Sequence, residues 1–146
     1  MTPFTGFTHL RPLDGMRLEV GFADDPTLHV VDVRAIVGED PLWTPLRDPA
    51  VFEGARLVAG GTGVAWTDEL DMCGDVVWRA VAAARGEVMP EGAFAAWRRR
   101  HGLSLSGAAR ALGLSRRQVA YFDSGQKPVP RTVMLACRGW EADKAA

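Results

Sequence analysis

Alternating apolar and polar residues predict strands in the first part of the chain. Phe7–Leu13 precedes Asp14-Gly15, a dipeptide that favours a hairpin turn. Leu18–Phe22 then alternates with the two-residue period of a strand. After a turn at 23–26, Leu28–Val33 is more continuously apolar, which is typical of a strand buried on both faces. We therefore predict that this third strand lies in the centre of a sheet.

The following segment combines turns with short regular elements. Arg34–Val37 predicts a short helix that ends at Gly38, and three prolines predict that Pro41–Pro49 is largely irregular. The glycine-rich Gly60–Gly63 is suited to close a second hairpin, and Cys73–Arg85 has apolar residues at helical spacing. Together these elements predict an α+β fold, a small antiparallel sheet with one or two helices on it.

Helical spacing replaces strand alternation after Gly86–Pro90, which we interpret as the boundary between two domains, residues 1–86 and 87–146. Glu91–His101 predicts an amphipathic helix with three arginines, Arg98–Arg100, at its end. Cations are favoured there because they face the negative pole of the helix. We interpret these arginines as a solvated helix end, or as non-specific phosphate partners.

Two further helices are predicted close together in the second domain. Ser104 and Ser115 can cap them, because a serine hydroxyl accepts a hydrogen bond from an unpaired backbone N–H. Gly113 suits a left-handed turn between them, and Val119 and Phe122 form the inner face of the later helix. So short a turn makes two helices cross steeply. The sequence therefore predicts a helix-turn-helix hairpin.

Charge divides the chain in the same way. Residues 1–86 hold seven Arg or Lys against thirteen Asp or Glu, whereas residues 87–146 hold ten against five. The resulting charges of about −6 and +5 add up to the overall net charge of −1. A basic domain is attracted to a polyanion, so two domains with different partners are expected.

Other features narrow the functional classes. No apolar run approaches the roughly 20 residues that cross a bilayer, and the chain start lacks the features of a signal peptide. We therefore expect a cytoplasmic protein without a membrane partner. His9, His29 and His101 have no second ligand at a metal-binding interval, so no metal site is predicted. Cys73 and Cys137 are expected to be buried small apolar residues. No catalytic motif or phosphate-binding loop is present, so we predict neither an enzyme nor a cofactor.

Two acidic clusters, Asp24-Asp25 and Asp68–Asp71, leave one alternative open. Paired carboxylates can act as acid and base or hold a divalent cation. The same residues are favoured at turns and helix starts for local reasons. We prefer this local interpretation to a small enzyme that uses Asp68, Glu69 or Asp71.

The first domain resembles a small family, the domain of unknown function 2442. The resemblance covers most of residues 8–80 and implies a small α+β fold without an established activity. It rests on the order and spacing of short motifs: Phe22 before an acidic turn, Val31-Asp32, Pro45–Asp48, Phe52, Val64–Trp66 and Asp71.

The second domain resembles the helix-turn-helix of Cro and the phage repressors over residues 94–135. The resemblance is carried by Leu103-Ser104, Ala109, Leu112–Ser115, Val119, Phe122, Gly125 and Pro128 or Pro130. The chain departs from the family pattern at Leu105, where Gln is common, and at Asp123, where Glu is common. A fourth helix is expected over Arg131–Trp140, without the usual fifth. The resemblance implies an all-α, λ-repressor-like domain.

The resemblance also implies roles for individual residues of the third helix. Arg116, Arg117, Ala120 and Tyr121 would meet base edges in the major groove, where an arginine can donate to both acceptors of guanine. Contacts to phosphate, which fix register without reading sequence, would come from Ser115, Gln118, Lys127 and Arg131.

We therefore interpret the chain as a sequence-specific binder of double-stranded DNA, a transcriptional regulator of the repressor or antitoxin type. One such module contacts a half-site, so a homodimer is expected. The first domain is a candidate docking site for a protein partner. An adaptor whose helix-turn-helix does not bind DNA stays open, since Leu105 and the acidic first domain both favour it.

Overall fold

The computed structural model describes residues 3–145 and has the predicted α+β fold. Contacts within the chain define two compact units, which join between Val81 and Ala82. We call the part up to Val81 the sheet unit, because all named strands of the described chain lie in it. The part from Ala82 onward is the helical unit.

Six strands form two antiparallel three-stranded sheets in the described part of the sheet unit. The first sheet consists, in order, of β1 (Phe7–Leu13), β2 (Arg17–Phe22) and β3 (Asp25–Asp32); the second consists of β4 (Arg56–Leu57), β5 (Gly63–Ala65) and β6 (Asp71–Cys73). Leu13 pairs with Arg17 across the first predicted turn, and Leu57 pairs with Val64 across the second. Both predicted hairpins are confirmed.

Strand β3 lies at the edge of its sheet, so the prediction that it is central was wrong. Leu28 and Val30 are on the outer face of β3 and are 51% and 55% exposed, whereas Val31 is on the opposite face and is buried. The central strand is β2, which pairs with both neighbours. An apolar outer face on an edge strand produces the same continuous apolar run as burial on two faces, and sequence periodicity does not separate the two cases.

A 3₁₀ helix over Ala59–Gly61 has no side-chain cap, whereas three other short helices in the sheet unit begin at aspartates. They are α1 (Val33–Val37), α2 (Pro49–Phe52) and a 3₁₀ helix over Pro41–Arg47, capped by Asp32, Asp48 and Asp40. The predicted stop of α1 at Gly38 is confirmed. The 3₁₀ helix replaces the predicted irregular segment, because Pro41 occupies a first-turn position that needs no donor. A longer helix, α3 (Gly74–Ala84), begins in the sheet unit and ends after Ala82, and it confirms the prediction for Cys73–Arg85.

Apolar side chains from the inner faces of the strands and from the helices form the core of the sheet unit. Leu18 and Val20 on β2 are completely buried, as their alternation predicts. The side chains packed around them come from distant segments of the unit and include Leu46, Phe52, Val64, Trp66 and Val77.

The helical unit contains α4 (Ala93–Arg100), α5 (Leu105–Leu112), α6 (Arg116–Asp123) and α7 (Arg131–Ala145). Its core is built around Phe94 and Trp97 of α4, which are 1% and 3% exposed. Trp97 meets Trp140 of α7 edge-on, with ring centroids 5.5 Å apart. Helix α7 extends five residues beyond the predicted end at Trp140.

The segment that leads into α4 is held within the helical unit. Glu87–Met89 lies alongside Val129–Arg131, joined by an isolated β-bridge and by backbone hydrogen bonds of 2.9 and 3.0 Å. Val88 is 2% exposed. The residues predicted as the domain boundary, Gly86–Pro90, therefore include a hydrogen-bonded and partly buried stretch of the helical unit.

Candidate nucleic-acid interface

Local caps determine the turn between α5 and α6. The Ser104 hydroxyl accepts a hydrogen bond of 2.9 Å from the backbone N–H of Gly107 and starts α5. Gly113, with φ 69°, ends α5 in the left-handed conformation. The backbone N–H of Leu114 then donates to the Ala109 carbonyl at 2.9 Å. The chain thus turns between two helices within three residues, as the sequence predicts.

Helix α6 begins with a reciprocal cap between Ser115 and Gln118. The Ser115 hydroxyl accepts from the backbone N–H of Gln118 at 3.1 Å, and the Gln118 side-chain oxygen accepts from the backbone N–H of Ser115 at 3.2 Å. Such a capping box satisfies two otherwise unpaired donors. Both residues were predicted to contact phosphate; their side-chain oxygens are engaged in capping, and the Gln118 amide nitrogen remains as a donor.

The inner face of α6 packs against small residues. Val119 is completely buried in a cluster with Ala108 and Ala109 of α5, whose short side chains allow the helices to approach closely. Phe122 is partly buried and meets the Phe94 ring edge-on at a centroid distance of 5.9 Å. The predicted inward orientation of Val119 and Phe122 is confirmed, and it places the intervening residues on the outer face.

Arg116 and Arg117 are exposed on that outer face, and Ala120 and Tyr121 are half-buried. Within the described part of the chain, Arg116 has no carboxylate partner. An exposed guanidinium without a neighbouring anion keeps its five N–H donors for an external acceptor. The outer face of α6 is therefore a cationic surface of the kind that phosphate and base acceptors attract.

Arg117, Tyr121 and Lys127 form a cluster at this surface. The Arg117 Nε donates a hydrogen bond of 2.9 Å to the Tyr121 hydroxyl, and its Cζ lies 5.6 Å from the ring centroid. The Lys127 Nζ lies 4.5 Å from the same centroid. Both distances are within the roughly 6 Å at which a cation and an aromatic ring attract each other. The structure thus brings together three of the residues predicted to contact DNA.

Arg131 is engaged elsewhere in the helical unit. It is the first residue of α7, and its Nη1 donates to the Gly86 carbonyl at 3.3 Å. Its backbone N–H donates to the Glu87 carbonyl at 3.0 Å. One edge of this guanidinium is therefore used within the protein, and the rest of it is the part available to a phosphate.

The interpretation of Arg98 as a solvated helix end was wrong. Its Nε and Nη2 donate to the Asp123 carboxylate at 2.5 and 3.1 Å, and its Nη1 donates to the Leu103 carbonyl at 2.9 Å. Both charged side chains are only 17% exposed. The hydrogen bonds that Arg98 donates to the Asp123 carboxylate raise the pKa of Arg98. This pair ties the end of α4 to the end of α6.

Arg100 also differs from the solvated-end prediction, because its Nη2 pairs with Glu141 of α7 at 2.8 Å. The sequence held one signal for the Arg98 contact. Asp123 is the last residue of α6, where the helix dipole disfavours an anion, so a nearby cation was to be expected.

The acidic clusters of the sheet unit are engaged in local contacts. Asp68 is fully exposed and pairs with Arg56 at 3.3 Å. In Asp25, hydrogen bonds from the Thr27 backbone N–H and from His29 lower the carboxyl pKa to about 2. Across residues 3–145, no three His, Cys, Asp or Glu side chains are grouped as a metal site would require.

The cysteines divide between two environments. Cys137 is buried as predicted, and burial raises the pKa of its thiol to about 11. Cys73 is exposed, so that prediction was wrong; it follows Met72 on strand β6, where successive side chains face opposite sides and Met72 occupies the buried one. None of the helices in the described chain has the length and apolar character needed to span a membrane.

Comparison with known proteins provides one similar structure. The chain is 34% identical to a protein from Nitrosomonas europaea ATCC 19718, whose crystal structure is described as that of "Putative DNA Binding Protein NE0471". The similarity covers 97% of this chain and 91% of that chain, with a TM-score of 0.57. No protein-family model matches the chain, and no curated protein matches it. The resemblances to the domain of unknown function 2442 and to the Cro type therefore stay predictions.

Proposed function

Because this chain belongs to the same family as the Nitrosomonas europaea protein, we propose that it binds double-stranded DNA sequence-specifically and regulates transcription. In this proposal α5 and α6 form a helix-turn-helix of the Cro and repressor type. The name of the relative supports DNA as the ligand in general. The type of regulator and the residues of contact rest on the site described above.

One observation carries the proposal: α6 buries a single residue, Val119, and directs cations outward. A helix that follows a tight turn can enter the major groove with its first residues against base edges. Arg116 and Arg117 are at that end of α6 and are exposed. Ala120 and Tyr121 follow one turn later on the same face, where base contacts are proposed.

Phosphate contacts are proposed for Ser115, Gln118, Lys127 and Arg131. Gln118, Lys127 and Arg131 keep side-chain donors for this purpose, whereas the Ser115 hydroxyl donates to the Gln118 side-chain oxygen at 3.3 Å and would exchange that contact for a phosphate. These contacts fix the position of α6 in the groove but read no sequence. A single unit covers one half-site, so we propose a homodimer on half-sites about 34 Å apart. Occlusion of a promoter by such a dimer is the simplest action, which is that of a repressor or an antitoxin.

A second candidate function is a protein-interaction adaptor, and Leu105 favours it. This residue stands where the family commonly has Gln, and it is half-buried against the core of the helical unit. An apolar side chain at that position supplies no hydrogen bond to phosphate. The sheet unit, with its acidic charge, would then dock the partner.

Selection of binding sites from random duplex DNA at physiological salt distinguishes the two. The test variant is Arg116→Ala/Arg117→Ala, and the matched control is Arg138→Ala/Lys144→Ala, which removes two exposed cations from α7. We expect a palindromic motif with the wild-type protein and the control, and none with the test variant. If the folded wild-type protein enriches no motif, the regulator proposal fails and the adaptor becomes the leading candidate.

A further inference from the structure

The two adjacent arginines of α6 are held differently. Arg116 makes no hydrogen bond or ion pair within the described chain, so its long side chain can sample many rotamers. Arg117 donates through Nε to the Tyr121 hydroxyl at 2.9 Å, one helical turn away. This contact is not an ion pair, because the acceptor is a hydroxyl and not a carboxylate. Arg117 is therefore oriented without losing its charge.

The hydrogen bond at Nε leaves both Nη nitrogens of Arg117 free to donate to another acceptor. Arginine reads guanine by donating from two N–H groups to O6 and N7, and the two Nη nitrogens carry four such hydrogens. Fixing Nε fixes the plane of the guanidinium, which determines where those hydrogens point. The Tyr121 hydroxyl accepts from Arg117, so its own hydrogen is not used in this contact.

Tyr121 is itself held in place. The Lys127 Nζ lies 4.5 Å from the ring centroid, and the Lys127 backbone N–H donates to the Tyr121 carbonyl at 3.2 Å. The tyrosine ring is also half-buried. A half-buried ring beside a cation, on a residue whose carbonyl is bonded to the following loop, is a firmer support for Arg117 than a freely rotating side chain.

We propose that Tyr121 is a positioning residue that orients Arg117 to read a guanine, so that Arg117 rather than Arg116 is the principal specificity-determining arginine. This inference rests on the proposed function and deepens it, since it names the base class that the site reads. A pre-oriented side chain avoids the entropy cost of ordering on binding. Loss of the Tyr121 hydroxyl should therefore reduce discrimination at the guanine position roughly two- to tenfold.

The test measures base preference at each position of the selected motif for five proteins: the wild type, Arg116→Ala, Arg117→Ala, Tyr121→Phe and Arg117→Ala/Tyr121→Phe. Phenylalanine keeps the ring and its contact with Lys127, so only the hydroxyl is lost. Arg117→Ala should abolish preference for guanine at one position, and Tyr121→Phe should weaken it at the same position. In the Arg117→Ala background, Tyr121→Phe should have no further effect. Arg116→Ala should leave that position unchanged.

Three outcomes would overturn the inference. If Tyr121→Phe and Arg117→Ala reduce binding additively, Tyr121 acts on DNA by itself. If Tyr121→Phe weakens binding equally at all positions, its role is structural. In both of these cases a motif is still selected, so the proposed function stands. If the folded wild-type protein selects no motif, both the inference and the proposed function fail.

Discussion

Strand β2 and helix α6 are both short elements, yet they divide their residues between core and surface in opposite ways. Four of the six residues of β2 are buried, and the outward Glu19 is paired with its neighbours His9 and Arg11. Only Val119 of the eight residues of α6 is buried. Most residues of β2 are buried in the core, whereas three of the eight residues of α6 are exposed and four are half-buried.

This difference shows how a short segment can be both ordered and available for binding. Helix α6 obtains its order from the ends, through the Ser115–Gln118 cap and the Arg98–Asp123 pair, and from one buried valine. Its outer face then contributes little to stability. In β2 the order comes from burial along the whole strand, so a change almost anywhere in it affects the core.

The largest expected effect is a difference in unfolding free energy between a variant of β2 and a variant of α6. Leu18→Ala removes a fully buried side chain of β2 and should lower the free energy of unfolding by about 2–5 kcal/mol. Arg116→Ala on α6 should change it by less than about 0.5 kcal/mol, because this side chain is exposed and has no partner among residues 3–145. Urea denaturation measures both. A destabilisation by Arg116→Ala comparable to that of Leu18→Ala would contradict the comparison.

The second test removes one end support of α6. Arg98→Met leaves the Asp123 carboxylate without its partner in a site that is 17% exposed, and we expect a loss of about 2 kcal/mol, less than for a fully buried pair. The adjacent Arg99 is exposed, so Arg99→Met is the matched control and should be close to neutral. Equal midpoints of thermal unfolding for the two variants would show that the pair does not support α6.

Alanine substitutions at two glycines of the helical unit should have smaller effects on stability, in opposite directions. Gly113 has φ 69°, so Gly113→Ala should cost about 1–2 kcal/mol through backbone strain. Gly139 lies inside α7 with open space where a Cβ would be, so Gly139→Ala should stabilise by about 0.5–1 kcal/mol. Differential scanning calorimetry should show the two melting temperatures moving in opposite directions, and shifts of the same sign would refute this.

The smallest expected effect is on the stability of the two units at low pH. Hydrogen bonds from His101 and Arg100 lower the pKa of Glu141 below its ordinary 4.5, so its stabilising contribution is present above about pH 4.5 and is lost as the pH falls through the lowered value. In the sheet unit, Asp25 has a pKa of about 2 against an ordinary 3.8, so its contribution persists to lower pH.

NMR signals from each unit, followed during acid titration, test this difference. Glu141→Gln should flatten the acid response of the helical unit and leave that of the sheet unit unchanged. Asp25→Asn should do the reverse. An unaltered titration of the helical unit in Glu141→Gln would show that the contacts to His101 and Arg100 do not contribute to its stability.

Local signals in the sequence were sufficient for most elements of the fold. Strand β1 begins and ends where its alternation predicts, and the turn after it follows the Asp14-Gly15 signal. Ser104, Gly113 and Ser115 each act within a few residues of their own position, so their caps could be recognised from sequence. The α5–α6 hairpin followed from those caps.

The features that were missed depend on residues distant in sequence. The edge position of β3 depends on which strands pair with it, and the apolar run of β3 alone does not predict that pairing. Arg98 meets a carboxylate 25 positions away, and Arg100 one 41 positions away. The cluster of Arg117, Tyr121 and Lys127 was predicted in part. All three residues were named from the sequence as DNA contacts, but the contacts among them were not predicted.

The single buried residue of α6 has a consequence for how this protein can diverge. None of the residues at positions 116, 117, 120 and 121 is buried in the core, whereas Val119 packs in the core and Ser115 and Gln118 cap the helix. Under the proposed function, descendants of one ancestral gene could exchange these residues and acquire new operators without first acquiring compensating stability. Under the same proposal, libraries at these four positions would vary the proposed contact residues while keeping Val119 and the Ser115–Gln118 cap of α6.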